Sequence, residues 1–305
     1  MTEAETTTAP TRCGFVALVG APNSGKSTLM NRLMGTKVSI VTPKVQTTRT
    51  RVVGVVIHGA AQLVFVDTPG IFAPKRRLER AMVAAAWTGA TDADVVLLLI
   101  DAERGLDEDA RLIIDGLKKN ERKAVVAINK VDAVKRESLL ALAAALDAQG
   151  LFGEIFMISA LTGDGVDDML PKLAAMLPEG PWLYPEDQLS DMNDRLFAAE
   201  ITREKLFLDL HQEIPYSLTV ETDNWEERDD GSVRIDQTIY VEKPGQRAIV
   251  LGKGGQMIKR VGAAARAELE ALLERRVHLF LFVKVREHWR DEPARYRAMG
   301  LEFGD

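Results

Sequence analysis

Cysteine is almost missing from this chain: Cys13 is the only one in 305 residues. An internal disulfide is therefore excluded, and the composition fits a reducing compartment. Cys13 has no base beside it and lies outside any glycine-rich loop, so it is expected to be a small filler before the first strand. Histidine is scarce as well, with four in the chain. Without a Cys/His cluster a zinc-type centre is not expected, and His278 and His288 should sit at the surface or at the edge of a core. Long apolar runs are absent. The longest near the middle, Val95 to Ile100, is bracketed by Asp94 and Asp101. That is a buried strand rather than a membrane span. Met1 to Thr11 is rich in Thr and Glu and has no apolar centre, so no secretory signal is read there, and residues 1–12 are expected to be a disordered tail. Positive charge is not in excess: 39 Lys and Arg face 45 Asp and Glu, a net −6. Any nucleic-acid site must then be a local patch rather than a global field. No strong internal repeat is evident.

What is present suits a soluble globular protein, with 46% apolar and 28% charged residues over a length that suggests about two domains. Short apolar runs at 14–19, 52–57, 62–66, 95–100, 124–128 and 155–158 read as strands. Helical patterns lie at 28–34, 107–119, 136–148 and 166–177. This alternation predicts an α/β domain over 13–177, with a mostly parallel sheet covered by helices on both faces. Pro178, Pro181 and Pro185 mark a linker over 178–193. Residues 194–305 change to a smaller α+β pattern. It has a helix over 194–210, strands at 217–222 and 233–241 joined by an acidic turn from Asp223 to Gly231, a glycine-rich loop, a helix over 256–274 and a strand over 277–285.

The motifs fall at the carboxyl ends of the predicted strands, where open α/β sheets bind ligands. Gly20-Ala21-Pro22-Asn23-Ser24-Gly25-Lys26-Ser27, continuing into Thr28, stands between a strand and a helix, the context a phosphate-binding loop requires. Successive backbone N–H groups there wrap a β-phosphate, and the helix N-terminus adds a favourable dipole. Gly25 permits close approach, Lys26 neutralises β- and γ-phosphate charge, and Ser27 offers a hydroxyl to Mg²⁺. Asp67-Thr68-Pro69-Gly70 follows the third strand. Its carboxylate can hold the Mg²⁺ shell, and the Gly70 N–H can sense a γ-phosphate. Between them, Thr47 and Thr48 lie in a polar segment; a hydroxyl there, Thr48 by preference, could complete the Mg²⁺ shell.

Asn129-Lys130-Val131-Asp132 selects the nucleotide. The Asp132 carboxylate matches the N1 and N2 donors of guanine, whereas adenine would leave it desolvated and unpaired. An ATP-driven enzyme is therefore a poor fit. The backbone of Ser159-Ala160-Leu161 could reach the guanine O6. Ile71 stands where many switch GTPases carry a water-positioning glutamine, so intrinsic hydrolysis should be slow or use another device. Asn23 suggests one: a loop asparagine that helps hold a monovalent cation beside the phosphates, so that potassium stimulates hydrolysis.

In the second domain, Gly252-Lys253-Gly254-Gly255 matches the G-x-x-G loop of KH domains, which clamps a single-stranded nucleic-acid backbone. A dinucleotide-binding reading fails because Met257 stands where a third glycine is needed. Ile258, Val261, Ala265, Leu269 and Leu272 form an apolar stripe on the following helix, expected to be core. Lys259, Arg260 and Arg266 are candidate phosphate contacts. From Gly245 to Arg290 there are ten Lys and Arg against four Glu and no Asp, a basic module inside an acidic protein. The element order resembles the type II KH arrangement.

Taken together, GAPNSGKSTL, QTTRTR, DTPGI, NKVD, SAL, EITREKL and VLGKGGQMIKRVG closely resemble the bacterial Era GTPase family, from about Gly14 to the end of the chain. The resemblance implies a GTP hydrolase that uses Mg²⁺, binds the 3′ region of small-subunit (16S) ribosomal RNA and assists maturation of the 30S subunit. It also implies a monomer, cytoplasmic and partly associated with the inner membrane. Two other readings differ in class. One is a GTPase of tRNA modification or protein targeting whose second domain only docks. The other is a GTP-binding assembly factor with negligible turnover.

Overall fold

A computed structural model describes residues 10–211 and 213–303, so most of the expected tail lies outside the described residues. The chain divides into two compact units. Of the described residues, 10–39, 51–75 and 82–191 form the first; 40–50, 76–81, 192–211 and 213–303 form the second.

The first unit carries β1 (Arg12–Gly20), α1 (Lys26–Met34), β2 (Val52–His58), β3 (Ala61–Asp67), most of α2 (Arg77–Asp92), β4 (Val95–Asp101), α3 (Glu108–Lys119), β5 (Ala124–Asn129), α4 (Arg136–Asp147), β6 (Phe152–Ile158) and α5 (Val166–Met176). Its six strands run in the order β2-β3-β1-β4-β5-β6. All neighbours are parallel except β2 and β3, which form an antiparallel hairpin. The apolar runs are continuous because a sheet covered on both faces must bury every side chain of its central strands; all of Val95–Asp101 is buried. The order reverses at β1, so the crevice beyond its carboxyl end is the topological switch point where such sheets take ligands.

Cys13 lies within β1 rather than before it. It is buried, its Sγ–H donates to Gln62 Oε1 at 3.4 Å, and burial pushes its thiol pKa up. The expected linker is fastened to the first unit. Val55 N–H donates to Leu189 O at 3.0 Å, Ser190 Oγ–H to Val53 O at 2.8 Å, and Trp182 and Tyr184 pack on Val53, Val64 and Val66. Fully buried Gln62 accepts from the amides of Leu183 and Tyr184 at 2.8 and 3.0 Å. This strap covers β2, the edge strand, whose open ladder would otherwise invite pairing with another chain.

The second unit carries α6 (Asp194–Asp209), β7 (Leu218–Glu227), β8 (Val233–Val241), α7 (Pro244–Leu251), α8 (Gln256–Leu273), β9 (Val277–Val285) and α9 (Pro293–Ala298). Its sheet has the order β7-β8-β9, with β7–β8 antiparallel and β8–β9 parallel. Asn193 caps α6 by accepting from Leu196 N–H at 2.9 Å. Val261, Ala265 and Leu269 of α8 are fully buried, with Ile258 and Leu272 packed against the same cores. The expected stripe is core. One expectation is corrected: Asp223 to Glu227 is not part of a turn but the second half of β7, paired with β8 beyond a register shift at Thr222/Asn224. Its outward side chains are acidic, which hides the alternation the sequence reading relied on.

Candidate functional site

The phosphate loop joins β1 to α1 and turns back on itself at two left-handed residues, Asn23 (φ 64°) and Gly25 (φ 97°). A Cβ on Gly25 would stand 2.1 Å from Asn129 Nδ2, so a glycine is required there for space as well as for φ. Ala21, Pro22, Ser24 and Lys26 are buried, whereas Asn23 is exposed at the loop tip. Lys26 Nζ donates to the carbonyls of Gly20 and Ala21 at 3.1 and 2.9 Å. Burial lowers its pKa to about 8, partly offset by Asp67. A buried ammonium at the mouth of a loop of backbone N–H groups is the environment a polyphosphate completes.

Asp67 ends β3 and is fully buried. Its Oδ2 accepts from Ser27 Oγ at 2.7 Å and from Ser39 Oγ at 2.9 Å. One carboxylate and two hydroxyls are hard oxygen donors of the kind Mg²⁺ prefers. Among the described residues no cluster of three His, Cys, Asp or Glu exists. A Mg²⁺ ion held by Ser27 and Asp67 would therefore draw further oxygens from phosphate and water. Ser39 escaped the sequence reading. Asn31 of α1 holds it, accepting from the amides of Val38 and Ser39 at 2.9 Å each. A serine in a loop carries no signal without that fold.

Thr68 Oγ1–H donates to Leu18 O at 2.8 Å and fixes the turn after β3. A Cβ on Gly70 would stand 2.8 Å from Pro22 N, so this turn closes directly on the phosphate loop. Ile71 is fully buried in the core among Ala21, Ile100 and Ile113, and its N–H donates to Gly20 O at 3.1 Å. It anchors the turn rather than facing solvent beside the loop.

Asn129 closes β5 and ties three motifs together. Its Nδ2–H donates to Ser24 O at 2.8 Å, and its Oδ1 accepts from Ala160 N–H at 2.9 Å. Lys130 takes φ 67°, and its Nζ donates to Asp101 Oδ2 at 2.6 Å. In the sequence Asp101 only brackets an apolar run; in the structure it ends β4 and is buried. Asp132 is exposed. Ser159 is buried and accepts from Thr162 N–H at 3.1 Å, while Leu161 is exposed and its carbonyl accepts from Arg32.

Thr47 and Thr48 belong to the segment 40–50, which clusters with the second unit. Thr47 Oγ1 bonds Lys44 O and Thr42 Oγ1 at 2.7 and 2.6 Å, and Thr48 is buried. The segment is gripped by α6 and the residues after it. Val41 N–H donates to Glu204 at 2.8 Å, Lys44 Nζ to the carbonyls of Phe207 and Leu210, and Arg49 Nη1 to Leu218 O at 2.7 Å.

In the second unit the G-x-x-G loop links α7 to α8. Gly252, Gly254 and Gly255 all have positive φ, at 71°, 60° and 75°. A Cβ on Gly252 would meet Met257 Cβ at 2.7 Å, whereas Gly254 and Gly255 face open space. Lys253, Lys259, Arg260 and Arg266 are exposed; Arg260 pairs with Asp209 at 2.9 Å. The short helix α7, for which the sequence pattern predicts no element, sets the entry to this turn.

Residues 15–130 match the family model of 50S ribosome-binding GTPases, and residues 213–290 match that of the KH domain. The GTPase Era of Rhizobium meliloti is 63% identical over 294 residues, covering 96% of this chain and 94% of that protein. The chain belongs to the Era family of GTPases. The GTPase Era of Mesorhizobium japonicum is 62% identical over 304 residues, covering 99% and 98%. Two solved Era structures are similar at 40% identity, each covering 95% of this chain and 99% of its own. One is Era with MgGDPNP and nucleotides 1506–1542 of 16S ribosomal RNA, with a TM-score of 0.90; the other is an Aquifex aeolicus Era variant bound to GDP·AlF₄⁻, with a TM-score of 0.89. The Era family thus pairs the two motif sets found here.

Proposed function

We propose that this chain hydrolyses GTP to GDP and phosphate, binds the 3′ region of 16S ribosomal RNA through its KH domain, and assists maturation of the 30S subunit. The observation that carries the nucleotide half is Asn129, which joins the phosphate loop at Ser24 to Ala160 while Asp132 stays open. Gly20 to Thr28 hold the phosphates, with Lys26 as the neutralising charge. Ser27 and Asp67 hold Mg²⁺, Gly70 senses the γ-phosphate, and Asp132 reads guanine. The RNA half rests on the open left-handed loop at Gly254 and Gly255 beside Lys253, Lys259, Arg260 and Arg266, and on the RNA seen in the related Era complex. The GTPase domain spans 13–177 and the KH domain 194–305.

The two halves are coupled through the segment 40–50. It carries Thr47 and Thr48, yet α6 and the residues after it hold it in place. Recruiting the Thr48 hydroxyl to Mg²⁺ in the triphosphate state would load those bonds, and by linkage RNA binding would bias the nucleotide state. Measuring RNA affinity with a GTP analogue and with GDP tests this; equal affinities refute the coupling. Crosslinking in cells with sequencing of the bound RNA, comparing wild type with Lys253→Ala, tests the RNA half. Crosslinks that skip residues 252–260 would favour the docking-module reading.

With Ile71 buried, the attacking water needs another source of charge. Potassium held with the help of Asn23, exposed at the loop tip with φ 64°, is our reading. Turnover at the same rate in sodium and in potassium refutes it. A monomer in the cytoplasm with a fraction at the inner membrane completes the reading and rests on the family resemblance. No helix among the described residues is long and apolar enough to cross a membrane.

A further inference from the structure

Ser39 lies outside every motif named above, yet it meets the carboxylate on which the Mg²⁺ reading depends. Its Oγ–H donates to Asp67 Oδ2 at 2.9 Å, and the same oxygen accepts from Ser27 Oγ at 2.7 Å. Ser39 is 3% exposed and Asp67 is fully buried. Two hydroxyl donors thus converge on one oxygen of a carboxylate that has no exposed surface. In such surroundings the groups that donate to a carboxylate set its orientation.

The placement of Ser39 is built by α1. Asn31 stands four residues after Ser27, so the two share one face of that helix. Gly35, left-handed at φ 66°, ends the helix and turns the chain back toward Asn31. Asn31 Oδ1 accepts from the amides of Val38 and Ser39 at 2.9 Å each, and Asn31 Nδ2–H donates to Ser39 O at 2.8 Å. One side chain therefore holds both backbone groups of Ser39. Helix α1 delivers two hydroxyls to Asp67: its own Ser27 and, through Asn31, Ser39.

Ser39 belongs to the first unit, whereas residues 40–50, with Thr48 among them, cluster with the second. The Asn31 clamp and the Ser39 hydroxyl are thus complete within the unit that carries the phosphate loop.

We propose that Ser39 is a positioning residue for Mg²⁺: held by Asn31, its hydroxyl fixes the Asp67 carboxylate so that the metal is retained with GDP, where Thr48 takes no part. The inference rests on the reading of Ser27 and Asp67 as the residues that hold Mg²⁺. A hydroxyl donor draws some charge from the carboxylate. Loss of an outer partner that orients a ligand nevertheless costs a metal site about 10–100-fold in affinity, so orientation outweighs that effect.

The test follows release of a GDP carrying a fluorescent ribose label from the full-length protein as Mg²⁺ is titrated, with a parallel GDP titration in EDTA. Mg²⁺ should slow release from wild type, and the midpoint reports metal affinity. Ser39→Ala should raise that midpoint about tenfold and leave GDP affinity in EDTA unchanged. Asn31→Ala should raise it in the same way, and the double variant should be no weaker than the weaker single variant, because both act through one hydroxyl. Ser39→Ala removes a single oxygen and carries the test even where Asn31→Ala loosens the loop. An unchanged midpoint in Ser39→Ala overturns the proposal. So does a loss of GDP affinity that is equal with and without Mg²⁺, which would make Ser39 an anchor of the loop alone. Additive effects of the two substitutions overturn the link through Asn31. Release from wild type that ignores Mg²⁺, or an Asp67→Asn midpoint equal to that of wild type, would remove the metal from Asp67 and overturn the underlying reading together with the proposal.

Discussion

Asn129 and Ser24 are 105 positions apart, yet the Asn129 side-chain amide donates to the Ser24 carbonyl at 2.8 Å in a buried setting. The residue that opens the guanine tetrad is thus a strut of the phosphate loop. Its other end, Oδ1, holds Ala160. In our reading of the site, nucleotide selection and phosphate binding share one side chain.

Replacing Asn129 with Ala leaves the Ser24 carbonyl and the Ala160 amide buried without partners. Stability should fall by about 1–3 kcal/mol. GDP affinity should fall as well, although Asn129 need not touch the phosphates. Denaturant unfolding and nucleotide titration check this; an unchanged midpoint would show that water replaces the amide at no cost.

Asp132 behaves differently because it is exposed. Asp132→Asn should leave stability within about 0.5 kcal/mol of wild type. Nucleotide preference should move from guanosine toward xanthosine nucleotides, whose 2-oxo group accepts from an amide. Competition between GDP and XDP measures it, and retained preference for GDP would remove Asp132 from the base site.

Lys26 should make nucleotide binding pH-dependent. Its pKa is lowered to about 8 by burial, against 10.5 for a free lysine. Between those values the unfolded chain carries more protons than the folded one. This group's contribution to the stability of the nucleotide-free protein therefore rises with pH across that window, and its penalty is fully present below about 8. Phosphate oxygens should restore the ammonium, so GDP binding at about pH 9 should take up protons. Calorimetry in buffers of different ionisation enthalpy reads the uptake; identical heats would refute it.

Lys253 is exposed beside the open glycines of the G-x-x-G loop. Lys253→Ala should weaken RNA binding across sequences and reduce the slope of log affinity against log salt by about 0.7, the single-strand value for one phosphate contact. An unchanged slope would place the backbone contact elsewhere.

The parts of this protein that were legible in its sequence are those whose chemistry is local. A loop that must wrap phosphate needs Gly25, Lys26 and Ser27 in fixed succession, whatever lies around it. The apolar run Val95 to Ile100 could only be a strand covered on both faces. What escaped depends on neighbours distant in sequence. Helix α2 is lined by Leu78, Met82, Ala86 and Ala90, and its small residues blur the helical period. The second half of β7 is acidic on its outer positions, so pairing with β8 decides it. Gln62 resembles any polar strand residue until the strap folds over it. Ser39 resembles any loop serine until Asn31 sets it against Asp67.

Read alone, the sequence already carries the GTPase motifs, the α/β class of the first domain and the KH character of the second. Each of these is carried by residues a few positions apart, where backbone geometry leaves few alternatives. Only the tertiary structure decided that Asn129 braces Ser24, that Ile71 is core, that 178–190 seal an edge strand and that Arg49 is buried beside Arg203. Those relationships join residues tens to more than a hundred positions apart, and burial, which makes an unpaired polar group costly, exists only once the chain has folded.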